Sequence, residues 1–510
     1  MPDSSYLSQN DTIMWMVEAD PLLRSTIMGV VLLDGTPDWN RVRARVEEVT
    51  HHVPALREKV MPVPLHPTTL RWVADDTFDL HYHLRHVSLP SGSTEQDLLD
   101  WACTEAAGGF DSARPLWEFT LVEGVGEHSA MVMKAHHVVT DGIGAVQLAA
   151  HLFDFEEHPS DGTRTAPPGA RHTSSADLLR DVVAHDVEGV LDFTRQQVRS
   201  ALPNLLHAVR HPQQALMSAV ETASSIARFL APSTQPKSNV MVGRMMSSNF
   251  RPLEVPVAHL HAASRAAGGK LNDGFLAGIT AGLHKYHAFH GAEVDELRVA
   301  MPISQRAEAH SEGGNHVSVT RFVVPVGQGS AADRVRDLHD VVNSIRHERA
   351  LDHTEAIAGA LNLMPKGVIG AMLKGVDFLA SNVPGVPLPM WLEGVPVRRF
   401  FPFGPTAGSA VNITLMSYNG TCCIGVNMDA AAIPDPDVLI GCLVEGFDEV
   451  RALAAPTGEA AAPTAPARNP RAKKAPAKKV AAKEVAAKKA PVKKVAAKKA
   501  APGGRSRPAK

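Results

Sequence analysis

The chain is 510 residues long, 44% hydrophobic and 21% charged, which is long enough for two or more domains and apolar enough to build their cores. Its formal net charge of −3 hides an asymmetry: residues 468–510 hold twelve lysines and four arginines against Glu484 alone, a net +15 that leaves −18 on residues 1–467. Four scattered cysteines (Cys103, Cys422, Cys423, Cys442) without C-x-x-C spacing argue against a disulfide framework and fit a reducing compartment, and the lack of 18 uninterrupted apolar residues argues against a spanning helix.

The opening Met-Pro-Asp-Ser-Ser-Tyr lacks the basic and apolar regions of a signal peptide, so a cytoplasmic location is expected. From residue 1 to about 195, strand-like runs (Thr26–Leu33, Trp117–Glu123, Ser129–Lys134) alternate with helical ones (Trp39–His51, Thr94–Ala106, Ile143–Leu152), the pattern of a mixed α/β domain. Residues 158–175, rich in Pro, Gly, Ser and Thr, read as a loop, and long helical patterns from Ala176 to Leu230 are expected to connect two halves. A second α/β half begins near Val240, with helices at Val255–Ala267, Asp273–His287 and Ala332–His353 and strands at Leu297–Met301 and Val317–Val326. Within Ala358–Leu379, the apolar residues Leu361, Leu363, Met364, Val368, Ile369, Met372, Leu373 and Phe378 stand among Lys366 and Lys374. This stretch reads foremost as a core-packed helix pair broken at Pro365, with a helix lying on lipid as the alternative. Ala410–Ser417 and Cys422–Met428 flank Tyr418-Asn419-Gly420-Thr421, where Asn-Gly predicts a hairpin, and Pro434–Leu453 closes the half as a helix.

Beyond Pro456 the chain is Ala, Pro and Lys, with Lys473, Lys478, Lys483, Lys488, Lys493 and Lys498 recurring every five residues. On a helix that step advances about 140°, so the charges would wind around the axis and leave no apolar face. Such a segment cannot bury a core and is expected to be disordered alone. The resulting division is an N-terminal half over 1–195, a helical connector over 196–240, a C-terminal half over 241–455 and a basic tail over 456–510.

Chemistry concentrates at Met-Val-Met-Lys-Ala-His-His-Val-Val-Thr-Asp-Gly-Ile-Gly, residues 131–144. His136 and His137 follow an apolar strand and precede a helix, a good place for a general base. Gly142 would let a substrate approach without a Cβ in the way, while Asp141 would orient the loop as a structural brace. Two ordinary loop histidines in a chain carrying 25 would give the same doublet, as His51-His52 illustrates, and spacing alone leaves both readings open. A zinc site is disfavoured, since i, i+4 histidines with further ligands are missing.

The doublet stands as His-His-x-x-x-Asp-Gly, and in this form the sequence resembles the bacterial wax ester synthase/diacylglycerol acyltransferase family. Arg114-Pro115-Leu116-Trp117-Glu118 looks like that family's P-L-W motif, and Leu7-Ser8 with Asp11 like its N-terminal signature. Leu271-Asn272-Asp273 is similar to its N-D motif, and Met301-Pro302-Ile303-Ser304-Gln305-Arg306 to its P-V-S-x-R stretch. Gly314-Asn315, Ser381-Asn382-Val383-Pro384-Gly385, Gly404-Pro405, and Asn412-Ile413 with Ser417-Tyr418 complete an ordered series from about residue 5 to residue 440. Two departures bear on acceptor preference: Leu23–Gly29 stands where the family has Pro-Met-His-Val-Gly, and Gly274 follows Asn272-Asp273 where an apolar residue is common.

The resemblance implies an α/β fold of two CoA-dependent-acyltransferase-like halves forming a pseudodimer with a central tunnel, and transfer of an acyl group from acyl-CoA, a co-substrate rather than a cofactor, to diacylglycerol or a long-chain alcohol. His137 is the implied proton acceptor with His136 supporting it, and no metal is called for. Pro115, Leu116, Trp117, Asn272 and Asp273 are implied substrate-side residues. Core packing for Leu116 and Trp117, and capping of a helix by Asn272 and Asp273, explain them equally well. The tail resembles the extensions of linker-histone-like and some bacterial nucleoid proteins; its charge suits an anionic membrane or lipid-droplet surface, nucleic acid, or the acidic body. Two other readings keep the fold: a non-catalytic lipid-binding or nucleoid-tethering protein, and a condensation-type acyltransferase using a carrier-protein thioester.

Overall fold

The computed structural model describes residues 6–63, 66–139, 148–157, 235–304, 317–327, 329–348, 361–362, 367, 369–370 and 374–454. Asp141, Gly142, residues 196–234 of the expected connector and the expected tail over 456–510 therefore lie outside the described residues.

The N-terminal part runs α1 (Gln9–Val17), β1 (Thr26–Leu33), α2 (Trp39–His52), the hairpin β2 (Glu58–Val63) and β3 (His66–Ala74), α3 (Leu80–His83), β4 (Leu84–Ser93), α4 (Glu95–Ala107), β5 (Trp117–Val125) and β6 (His128–His136). The C-terminal part runs β7 (Ser248–Pro256), α5 (Val257–Ala266), α6 (Leu271–Phe289), β8 (Glu296–Ser304), β9 (Val317–Pro325), α7 (Ala331–Arg346), β10 (Phe378–Val386), β11 (Trp391–Leu392), β12 (Val395–Phe403), β13 (Val411–Tyr418), β14 (Thr421–Asp429) and α8 (Pro436–Arg451). Two six-stranded sheets result, ordered β11-β12-β1-β6-β5-β4 and β7-β14-β13-β10-β8-β9.

Strand β1 occupies the span expected from its unbroken apolar run. The hairpin expected at Asn419-Gly420 is also present, with φ of 42° and 81° at those residues as a primed turn needs. The helix expected from Val255 starts two residues later, because β7 pairs with β14 as far as Pro256. Of the stretch read as a core-packed helix pair, Ile369 does pack in a core, against Val17 and Leu23, and Phe378 belongs to strand β10 rather than to a helix.

The C-terminal part lends strands to the first sheet. β11 and β12 come from the C-terminal part of the chain yet complete the first sheet, with β12 antiparallel to β1 (Met28 opposite Phe403, Val30 opposite Phe401). Phe403 stacks on Phe250 of β7 at 4.2 Å, and Cys103 of α4 donates to the Ser248 carbonyl, so each half buries part of the other. Gly425 of β14 permits this closeness, since a Cβ there would overlap the Pro402 carbonyl of β12. One core cluster consequently spans the seam, joining Trp117, Phe119 and Met131 to Met390, Met416 and Tyr418; a second fills the C-terminal part around Phe275, Leu443 and Phe447. The Tyr418 hydroxyl ties the crossing down, donating to the Val397 carbonyl at 2.8 Å and accepting from the Met390 amide at 3.0 Å.

Candidate active site

Strand β6 pairs with β1 and β5 along its whole length and delivers His136 at its last position, with His137, Val138 and Val139 in the turn that follows. The turn is clamped from both neighbouring strands. The His136 amide donates to the Leu116 carbonyl at 2.9 Å, the His137 amide to the Ser25 carbonyl at 2.9 Å, and the Val139 amide to the His136 carbonyl at 2.9 Å.

The two imidazoles have different surroundings. His136 is buried, at 1% exposure, with Trp15 and Phe110 edge-on at 5.9 and 6.1 Å. Its Nδ1 accepts the Val138 amide at 3.2 Å, which places the ring proton on Nε2, and Nε2 donates to Glu18 at 3.1 Å. Both nitrogens of this neutral tautomer are thereby engaged. His137 is half-buried at the turn.

Support for the turn comes from α1, which sequence periodicity does not reveal because four polar residues precede five consecutive apolar ones in its nine positions. Ser8 caps this helix by accepting the Asp11 amide at 3.0 Å, so the N-terminal signature is a capping device. Glu18 closes the other end. Below the turn, Leu7, Leu116 and Val138 form a small apolar cluster with Val60 and Leu70.

Pro115 and Leu116 are buried, and Leu116 meets the doublet through its backbone carbonyl as well as through that cluster. Trp117 is fully buried, stacked on His83 at 4.7 Å, with its indole N–H on the Leu56 carbonyl at 2.8 Å. Next to it in the sheet, Lys134 and Glu118 form a buried pair at 3.5 Å. Burial lowers the lysine's pKa against the opposing pull of Glu118.

The Asn272-Asp273 doublet opens α6 in the C-terminal part. Asp273 accepts the Lys270 amide at 2.7 Å and receives His339 Nδ1 at 2.7 Å, while Asn343 meets the far nitrogen of His339 at 2.8 Å. The Asn272 side-chain oxygen accepts from Asn382 of β10. Gly385, in the same motif as Asn382, sits in an irregularity between Val383 and Val386 in the pairing of β10 with β13, where a Cβ would overlap the Ser417 carbonyl. Asn412 donates to the Pro405 carbonyl at 2.7 Å and Asn427 to the Gly404 carbonyl at 2.9 Å, so Gly404-Pro405 is anchored where β12 leaves the first sheet.

The wax ester synthase/diacylglycerol acyltransferase catalytic-domain model matches residues 4–275, and the C-terminal-domain model of the same family matches residues 313–451. The chain belongs to this family of acyltransferases. A putative diacylglycerol O-acyltransferase of Mycobacterium tuberculosis is 34% identical, over 88% of this chain and 92% of the relative. A second from the same organism is 27% identical, over 82% of each chain. The fold resembles that of a wax ester synthase/diacylglycerol acyltransferase from Marinobacter aquaeolei VT8 (TM-score 0.57, 18% identity, 88% of this chain and all of the other). It also resembles the first condensation domain of the calcium-dependent antibiotic synthetase (TM-score 0.55, 14% identity, 89% of this chain and 98% of the other). Among the described residues, no helix is long and apolar enough to cross a membrane, and no group of three or more His, Cys, Asp or Glu side chains is placed to hold a metal ion.

Proposed function

We propose that this acyltransferase uses His137 as the general base that moves a fatty acyl group from acyl-CoA to the hydroxyl of diacylglycerol or of a long-chain alcohol. The observation that carries the assignment is the difference within the doublet: His136 is buried with both ring nitrogens on Val138 and Glu18, while His137 stands half-buried in the turn that follows the strand. A neutral imidazole takes the hydroxyl proton as the oxygen attacks the thioester carbonyl, a contribution of about 10² to 10⁴ in rate. The tetrahedral adduct then expels CoA thiolate, which recovers the proton from the imidazolium. The thioester is already activated, so no acyl-enzyme is required.

Asp141 and Gly142 complete the motif by resemblance, as a brace for the loop and as a position open to substrate. We place the acyl chain and acceptor in a tunnel between the halves. Pro115, Leu116 and Trp117 shape it from the first half, and Asn272 and Asp273 from the second. Turnover by purified wild-type and His137→Ala protein, with acyl-CoA and either diacylglycerol or hexadecanol, tests the base; near wild-type turnover in the variant sinks it.

We further propose that the +15 tail holds the enzyme at an anionic membrane or lipid-inclusion surface from the cytoplasmic side, each basic residue contributing about 1 kcal/mol near such a surface. Both substrates being lipidic supports this over nucleic acid. Removal of residues 468–510 should abolish retention on anionic liposomes, while retention on DNA alone would point to the linker-histone-like reading.

A further inference from the structure

A carboxylate at the C-terminal end of a helix faces the negative end of the helix dipole. Glu18 is in that position on α1, whose last turn contains no basic residue. A break with the local rule calls for a compensating partner, and such breaks gather at functional sites. One oxygen of Glu18 receives two donors: the ring Nε2–H of His136 at 3.1 Å and the amide of Ser25 at 3.0 Å. The Ser25 carbonyl in turn accepts the His137 amide at 2.9 Å. Both backbone segments that meet at the histidine turn, the end of β6 and the residue before β1, thus converge on a single carboxylate oxygen.

The helix carrying that carboxylate is held at both ends. Besides the Ser8 cap, Asn362 donates to Gln9 at 2.7 Å. Beyond the C-terminus of α1, Lys374 donates to Asp20 at 2.5 Å, and this contact lowers the Asp20 pKa. Asn362 and Lys374 both belong to the C-terminal part of the chain, so α1 is a strut between that part and the histidine turn.

We infer that Glu18 is a positioning residue for acyl transfer: it fixes the His136 ring and the Ser25 backbone, and through them the place of His137. This rests on the reading of His137 as the base. Hydrogen bonds to a carboxylate are among the stronger ones, and a base displaced by about 1 Å loses on the order of 100-fold in rate.

The test is steady-state kinetics of the full-length protein with acyl-CoA and hexadecanol. Glu18→Ala should lower kcat on the order of 10- to 100-fold with KM for acyl-CoA changed by less than about twofold. Glu18→Gln, whose carbonyl oxygen can still accept both bonds, should restore most of the turnover. In a His136→Leu background Glu18→Ala should cost no more than about threefold further, since the two side chains act as one unit.

Wild-type kcat in Glu18→Ala, a Glu18→Gln variant as impaired as Glu18→Ala, or full additivity in the cycle would each overturn the inference. Should Glu18→Ala fail to fold, Glu18→Asp, one methylene too short to reach both donors, takes its place under the same criteria. His137→Ala separates the two readings: turnover retained there removes the base, whereas an inactive His137→Ala beside a fully active Glu18→Ala removes only the brace.

Discussion

The first part of the chain presents its polar doublet, His136-His137, at the end of a strand, and the second part presents Asn272-Asp273 in the first turn of a helix. In the helix both members are absorbed by structure, Asp273 by the Lys270 amide and His339, Asn272 by Asn382. At the strand end the first member is buried and bonded to Val138 and Glu18, while the second stands half-buried in the turn that follows. Two adjacent polar residues at a helix start have orphan amides within reach, and a capping role needs no substrate to explain it. At the end of β6 the first histidine also takes up an amide, that of Val138, and the second stands one residue further along the turn.

Substituting the second histidine is the most severe test of that contrast. His137→Ala should lose about 10² to 10⁴ in kcat while its urea midpoint stays near that of the wild type. Asp273→Ala should do the reverse, since losing a cap costs about 1 kcal/mol and stranding His339 adds about 1 kcal/mol more. A urea titration measures this, and an Asp273→Ala protein as stable as wild type but inactive would move that residue from capping to chemistry. Asn272→Ala, which loses one half-buried hydrogen bond, should cost about 1 kcal/mol or less by the same titration.

Histidines spent on structure also predict how stability depends on pH. His83 accepts burial against Trp117 and Phe78, and His287 is buried beside Ser238. Desolvation lowers the pKa of each below the ordinary value. The unfolded chain then binds protons that the folded one does not as pH drops below about 6.5. Stability should therefore be greatest above that pH and fall on acidification, with a slope of at most about 1.4 kcal/mol per pH unit for each histidine. Unfolding midpoints at pH 7.5 and 5.5 check this; equal midpoints would mean that these rings are not held neutral by burial.

Much of the architecture was legible from the sequence. Strands such as β1 and the β13–β14 hairpin announced themselves through an unbroken apolar run and an Asn-Gly turn, which are local signals. Strand β12 did not, because Pro396, Arg398, Arg399 and Pro402 within nine residues mask its apolar positions. Helix α1 is hidden for a similar reason, its apolar residues lying in a block rather than a stripe. Glu18 is hidden along with it, although an acid at a helix end without a basic neighbour is a signal once the helix is known.

The residue types at the site, their order and the α/β class follow from the sequence, since they depend on periodicity and on motifs read over a few residues. What holds His136 depends on a contact made across 118 positions, between Glu18 and His136. The same holds for the strand that residues near 400 lend to the first sheet. Such pairings arise only when distant segments bury their apolar faces together, and it is that packing which brings a carboxylate from the end of one helix to the imidazole at the end of a strand.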